Sequence, residues 1–406
     1  MINKIAKTGF LIFFIFFQNY FSQNNMNRIN EILELVKRKY APDKRTAIFN
    51  VAAVEKENII ILQGETNSIQ AKEELLNRCK EQNLNFTDEI QVLPTKDVAA
   101  NSYGIINVSV ANLKALPSHS SELVSQTILG TPVLVWKKEN SWYLIQTPDD
   151  YLGWCEIEQF VSLNREDYLK WVQAKKIIIT SMYSFSYENP DLNSQTVSDI
   201  IAGNILEKIE DYENYVKVKF PDNRIAFIEK KDCEDFEKWL DSRNPTAENI
   251  IKTAMKFLGL PYLWGGTSVK AVDCSGFTKT VFFLNGIVIP RDASQQVFAG
   301  DEILTNDNLT ELLPGDLLFF TNGKEFDKKA VARRELPKIT HVGIYIGEKD
   351  YIHASFKVKI NSFDKNKNNF NESRLKDFVR ASRIINSKSK KFITKIKENK
   401  YYNGGI

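Results

Sequence analysis

Apolar positions along this chain follow a helical period first, then a strand period, then both. In "NRINEILELVKRKY", Ile29, Ile32, Leu33 and Val36 fall on one helical face. "RTAIFNVAAVEKENIIILQGET" then predicts two strands joined near Lys56–Asn58, "IQAKEELLNRCKEQ" a second helix and "EIQVLP" a closing strand. Residues 26–98 thus read as a small α/β unit, in which no chemistry stands out. From 103 to 240 the pattern changes to short strands and turns. The segments 125–160 and 197–236 both run apolar pair, glycine, strand, charged turn, aromatic strand, "PD" turn and last strand. That repeat predicts two copies of one β unit, 103–165 and 166–240, the second opening with the helix-like "REDYLKWVQAKK".

Residues 241–384 form the last unit. "NPTAENIIKTAMKFLG" predicts a helix capped by Asn244, with Pro245 in its first turn, Gly259 at its end, and Ile250, Ile251, Ala254, Phe257 and Leu258 as its buried stripe. Further on, Phe277, Val281 and Leu284 carry helical spacing up to the stop signal Asn285-Gly286. Residues 385–406 are lysine-rich and read as a solvated end rather than a site for an acidic partner.

Composition narrows the class. With 406 residues, 43% hydrophobic and 12% aromatic, the chain is globular and too long for one core. Lys plus Arg number 54 against 51 acidic residues, which gives no electrostatic case for nucleic acid. At the start, Lys4 and Lys7 precede an apolar run from Phe10 to Phe17 and a small residue, Ser22. This is the layout of a secretory signal over 1–22, too short to span a bilayer, so an exported protein, periplasmic or secreted, with no stable membrane insertion after cleavage is expected. Export permits disulfides, but the sequence does not choose a pair among Cys79, Cys155 and Cys233.

The fourth cysteine raises a sharper question. Cys274 follows "YLWGGTSVKAVD" and opens the helix in "DCSGFTKTVFFLNG", with Asp273 where an N-cap belongs. It reads as a core residue, half of a disulfide, or a nucleophile whose thiol is acidified by the helix start. The chain holds only three histidines. His341 in "ITHVGIYIG" and His353 in "DYIHASF" flank "GEKD", and a hairpin centred on Gly347 would make them cross-strand neighbours on one face. One imidazole would then take the thiol proton while the other orients it. His119 has no such geometry, and the Cys/His separations match no common zinc-ligand spacing.

"PYLWGG", "DCSGF", "IPRDASQQ", "LLPGDLLFF", "HVGIYIG" and "YIHAS" occur in an order that resembles the NlpC family of papain-like cell-wall cysteine peptidases. The β repeat resembles bacterial SH3-like barrels, and the combination resembles the γ-D-glutamyl-L-diamino-acid endopeptidases of the dipeptidyl-peptidase VI type. The resemblance implies a multidomain α+β fold: a papain-like domain, its helix packed on an antiparallel sheet, behind two SH3-like barrels and the α/β unit. It implies Cys274 as nucleophile, His341 as base, His353 as the orienting residue and Tyr262 as an oxyanion helper. It assigns Asp273, Ser275 and Ser294 to the free amine end of a peptidoglycan stem peptide such as L-Ala-γ-D-Glu-diamino acid, and implies Tyr151 as a tyrosine that the first barrel offers to the cleft and Glu122 as a second substrate-binding residue of that barrel. No metal or organic cofactor is implied. A non-catalytic wall-binding protein and an N-acetylmuramoyl-L-alanine amidase are the rival readings. Asp316, Arg291 and the tryptophans Trp142, Trp154 and Trp264 read as turn, pairing and wall residues.

Overall fold

The computed structural model describes residues 24–57, 59–304, 309–323 and 337–406, so the expected signal at 1–22 lies outside the described residues. The chain divides into two compact units, 1–99 and 100–406.

In the first unit, helix α1 (24–40) precedes the antiparallel strands β1 (Phe49–Lys56) and β2 (Ile59–Thr66). Helix α2 (Ile69–Glu81), capped by the Ser68 hydroxyl, carries the chain across to β3 (Phe86–Val92), which runs parallel to β2. The stripe read from the sequence is the core: Ile29, Ile32, Leu33 and Val36 are buried against Leu62, Leu75 and Cys79.

The second unit begins with two seven-stranded sheets. The first comprises β4 (Tyr103–Ile106), β5 (Val110–Lys114), β6 (Leu123–Ile128), β7 (Pro132–Glu139), β8 (Trp142–Gln146), β9 (Leu152–Glu156) and β10 (Phe160–Leu163). After helix α3 (Arg165–Gln173) the second comprises β11 (Lys176–Ile179), β12 (Tyr183–Tyr187), β13 (Thr196–Ile201), β14 (Ile205–Tyr212), β15 (Tyr215–Lys219), β16 (Ile225–Glu229) and β17 (Cys233–Asp235). Their strand orders, β10-β4-β7-β8-β9-β5-β6 and β17-β11-β14-β15-β16-β12-β13, are one topology used twice. Each copy also turns through a short 3-10 helix before its last strand. The weak internal repeat in the sequence is therefore a repeat of fold.

Helices α4 (Phe236–Asp241) and α5 (Ala247–Met255) lead into the last part. Here two expectations need correction. The N-cap of α5 is Thr246, whose hydroxyl accepts the Asn249 N–H, while Asn244 uses its carbonyl to hold the Asn249 side chain. The helix stops at Met255, so the 3.6-residue period no longer applies at Leu258, which is 47% exposed. The loop to the nucleophile contains the short pair β18 (Thr267–Ser268) and β19 (Ala271–Val272). Helix α6 (Cys274–Phe283) follows, then β20 (Ile287–Val288), α7 (Ala293–Gln296) and β21 (Asp301–Ile303). The remaining strands are β22 (Leu317–Phe320), β23 (His341–Gly347), β24 (Asp350–Ser355), β25 (Lys357–Ser362) and, after helix α8 (Glu372–Asp377), β26 (Phe378–Arg383). They form an antiparallel sheet in the order β21-β26-β22-β23-β24-β25. Helix α6 lies on it through Phe277, Val281 and Phe282, sharing a core with Leu317, Phe319, Val342, Ile344 and Ile352.

The lysine-rich tail is not a solvated end. Its lysines alternate with residues that pack: β27 (Thr394–Lys395) pairs with β20, and Ile396 and Tyr401 are fully buried. Ile396 joins a cluster of Ile105 from the first barrel, Ile178 and Ile205 from the second, Trp239 and Val288. The Tyr168 hydroxyl donates to the Tyr401 carbonyl at 2.6 Å, and the Asn399 side-chain amide donates to the Pro148 carbonyl at 2.9 Å. The tail straps the barrels to the catalytic sheet. Truncating a buried isoleucine to alanine costs about 2–5 kcal/mol, so Ile396→Ala should lower the denaturation midpoint clearly while Lys391→Ala leaves it in place. Equal midpoints in urea titrations would refute the strap.

Candidate active site

The position of Cys274 is set by a carboxylate. Asp273 caps α6 by accepting the Gly276 N–H at 2.7 Å, and its carbonyl accepts the Phe277 N–H. That leaves the N–H groups of Cys274 and Ser275 at the helix start. The backbones of Ser275 and Val342 each favour the thiolate form of Cys274. Gly276 lets the helix sit tightly on the preceding loop, since a Cβ there would collide with the Gly266 carbonyl oxygen.

All four cysteines are free thiols, so the disulfide alternative for Cys274 does not hold in this structure. The expected acidified thiol is also corrected. Burial, reinforced by the Asp273 charge, pushes Cys274 up to about 12, against the pull of the two backbone contacts. A thiol raised in this way favours its neutral form.

The two histidines expected to act with Cys274 are positioned by the β23–β24 hairpin. The turn falls at Glu348 and Lys349, both with positive φ, rather than at Gly347, and a bulge lies between Tyr345 and Gly347. With Ile344 opposite Ile352, His353 faces Gly343, and the two histidines are diagonal neighbours on one face instead of direct partners. Gly343 makes room for the diagonal: a Cβ there would lie 3.0 Å from that of His353. The rings meet edge to face, with His341 Nε2 at 2.7 Å from His353 Nδ1.

A residue that the sequence reading missed sets the protons. The Asn361 side-chain NH2 donates to the Asn369 carbonyl at 3.0 Å, which turns its oxygen toward His353 Nε2 at 2.8 Å. His353 must then carry its proton on Nε2 and accept from His341 through Nδ1. His341 in turn carries its proton on Nε2, leaving Nδ1 with the free lone pair. The available signal was the two-residue period of β25, which puts Asn361 on the face of Lys359, the residue opposite His353. Both rings are kept neutral: burial, then the cation of Arg374, holds His341 well below its ordinary value, and burial brings His353 down to about 4.

Tyr262 borders the same cleft as His341, and burial and the neighbouring Cys274 raise its phenol, so it remains an O–H donor. The residues expected at the amine end do not border that cleft. Arg291, 1% exposed, grips Asp273 with both terminal nitrogens at 3.1 and 2.5 Å, and also donates to Ser275 Oγ and to Ser125 Oγ of the first barrel. Gly265 N–H donates to the same carboxylate at 3.0 Å. Asp273 is therefore saturated, not a free carboxylate waiting for a ligand. Tyr151 is buried and donates to Asp292 at 3.2 Å, the residue after Arg291; Ser294 lies in α7, which Asp292 caps. Glu122 is exposed on the first barrel and accepts the Trp264 indole N–H at 2.7 Å, over the loop leading to Cys274. Asp316 binds Arg383 and the Leu313 N–H, away from the nucleophile's partners. Among the described residues no cluster of His, Cys, Asp and Glu is arranged to hold a metal.

The NlpC/P60 family matches residues 259–380, and the bacterial SH3 domain matches residues 109–162. Over 285 residues the chain is 27% identical to dipeptidyl-peptidase 6 of Lysinibacillus sphaericus, covering 64% of this chain and 91% of that protein. Over 239 residues it is 30% identical to the gamma-D-glutamyl-L-lysine dipeptidyl-peptidase of Bacillus subtilis, covering 57% and 71%. The crystal structure of an NlpC/P60 family protein from Bacillus cereus shares the fold at a TM-score of 0.59 and 24% identity, over 70% of this chain and all of that one. With this fold and these relatives, the chain belongs to the NlpC/P60 family of cysteine peptidases.

Proposed function

We propose that this cysteine peptidase hydrolyses the γ-D-glutamyl–L-diamino acid bond of peptidoglycan stem peptides whose N-terminal L-Ala amine is free. In this reading His341 Nδ1 takes the Cys274 proton as sulfur attacks the γ-carbonyl carbon. The oxyanion is met by the N–H groups at the start of α6 and by the Tyr262 hydroxyl. His341 returns the proton to the leaving amine, and water, deprotonated by the same imidazole, releases the dipeptide from the thioester. His353 and Asn361 keep the imidazole in the competent tautomer throughout.

The observation that carries the substrate assignment is the first barrel's reach onto the nucleophile's flank, through Glu122 on Trp264 and Tyr151 on Asp292. A longer chain N-terminal to the scissile bond would have to pass that wall. Because Asp273 already has Arg291, the carboxylate left for an incoming ammonium is Glu122, and the roles of these two acids divide. The names of the relatives in Lysinibacillus and Bacillus support the same bond. We also infer an exported enzyme, supported by the Lys4, Lys7 and Phe10–Phe17 pattern; among the described residues no helix is long and apolar enough to cross a membrane.

The experiment is mass analysis of products from L-Ala-γ-D-Glu-L-Lys, its N-acetyl form and a muropeptide. Cleavage of the first alone is expected; release of the peptide from muramic acid would instead indicate the amidase, and no cleavage of any the binding protein. Cys274→Ala should abolish the reaction. Glu122→Gln should lower the preference for the free amine over the acetylated peptide. Asp273→Asn should act on stability first, by about 3–5 kcal/mol, because it leaves the Arg291 charge buried and unpaired.

The histidines also fix a pH dependence. Their folded values lie below the unfolded one, so between pH 6.5 and about 4 the unfolded chain binds protons that folded His353 does not. Stability should fall as pH drops through that window. The acid limb of kcat/KM should lie below the ordinary histidine value as well; a limb at or above it would mean that the base is not held neutral.

A further inference from the structure

His341 borders a cleft of about 460 Å3, lined also by Tyr262, Thr321, Ser355, Phe356 and Arg374 among others. None of Glu122, Tyr151, Asp273 and Ser275 borders it. The general acid has to touch the leaving nitrogen, so the side of the nucleophile bordered by His341 is where the departing residue lies. Arg374 projects from α8 and sits over the Phe320 ring at 5.7 Å, and His341 is one of the rings packed around Phe320, at 5.6 Å. A guanidinium is therefore held one aromatic ring away from the catalytic imidazole. Among the described residues no carboxylate pairs with it. Lys359, opposite His353 on β25 and resting over the Phe356 ring, adds a second cation at the same edge, also without an acidic partner among the described residues. A cationic rim without an acidic partner among the described residues, beside a neutral base, calls for an anion from the ligand.

We propose that Arg374 forms a carboxylate-binding subsite on the leaving side, and that the enzyme thereby selects peptides that end at the diamino acid. This rests on the bond assigned above. In such a peptide the α-carboxylate carbon is separated from the leaving nitrogen only by Cα, close enough to share the His341 edge of the cleft. In a stem continued by further residues that carboxylate is an amide, which carries no charge for the guanidinium. The preferred substrates are then free tripeptides rather than intact stems. Binding has a second effect. The Arg374 charge is one of the influences that disfavour protonated His341, and a bound carboxylate neutralises it, making His341 a better proton acceptor only when the right substrate is present.

The test compares kcat/KM for L-Ala-γ-D-Glu-L-Lys with that for its C-terminal carboxamide, and for the analogue in which the D-Glu α-carboxylate is amidated instead. The lysine peptide removes any second carboxylate at the far end of the diamino acid. The wild type should favour the free acid over the carboxamide by about tenfold or more, the worth of one charge-assisted contact. Arg374→Gln should bring that ratio near unity, Arg374→Lys should restore part of it, and both should retain the preference for a free N-terminal amine. Circular dichroism verifies that each variant is folded. Equal wild-type rates on acid and carboxamide, or a ratio that survives Arg374→Gln, would overturn the subsite. So would an Arg374→Gln effect that follows amidation of D-Glu rather than of lysine. Failure of the wild type to cut any of the three would instead bring down the bond assignment itself.

Discussion

A guanidinium buried to 1% exposure must be neutralised where it stands, and Arg291 is neutralised by the residue that begins the nucleophile's helix. Much of the site follows from that pairing. Asp273 cannot swing away from Arg291 without leaving two charges unpaired in the interior, so the cap on α6, and with it Cys274, is fixed in orientation. The remaining Arg291 donors go to Ser275 and to Ser125. The second of these belongs to the first barrel, so the ion pair also registers that barrel against the catalytic domain. Thr267, hydrogen-bonded to Gln126 through both N–H and hydroxyl, and Lys279, paired with buried Asp149, continue the same seam. The barrel is held by polar contacts that require particular atoms, which a purely apolar interface would not. A wall meant to stop a substrate at a fixed distance from a sulfur atom needs that kind of register.

The second constraint is a one-residue matter of strand pairing. A regular hairpin centred on Gly347 would set the imidazoles directly opposite. The bulge displaces them to a diagonal, and Gly343 leaves His353 the space to reach His341 with Nδ1 while Nε2 stays with Asn361. Proton positions are thereby read from heavy atoms alone. Starting from a backbone carbonyl that can only accept, each donor along the chain Asn361, His353, His341 is decided in turn, and the free lone pair ends on His341 Nδ1. A neutral thiol and neutral imidazoles are compatible with catalysis because the proton moves as the bond forms, and no charge has to be stored in the buried resting site.

Local pattern carried much of this into the sequence. The helical stripe at Ile29–Val36, the cap at Asp273 and the common face of the histidines all depend on periods of a few residues, and those survive in one dimension. The duplicated barrel was visible because its turns recur in the same order. What was hidden depended on distant pairing. Asp273 looked available because its partner is eighteen positions away and its other donors are backbone groups. The tail looked solvated because lysines dominate its composition, whereas Ile396 packs against residues of both barrels and Tyr401 is held by Tyr168. The Cys274 thiol looked acidic because a helix start is visible in sequence and burial is not.

The tail also links regulation of the site's two flanks to one element. Asn399 holds the Pro148 carbonyl, Lys400 lies 3.3 Å from Asp150, and the Gln146 amide holds the Asp150 carbonyl, so the turn that delivers Tyr151 is gripped on several sides. Asp149 in that turn reaches Lys279 on the nucleophile's own helix. The amine-side wall is therefore not borrowed from a loosely tethered module; it is braced from behind by α6 and by the chain's last residues. Among the described residues the leaving side has no such bracing: Arg374 rests on an aromatic ring and Phe356 is 90% exposed. One flank is rigid and excludes, while the other is open and attracts. On the proposed reading, a peptidase built this way would meet the start of its substrate with a steric limit and its end with charge.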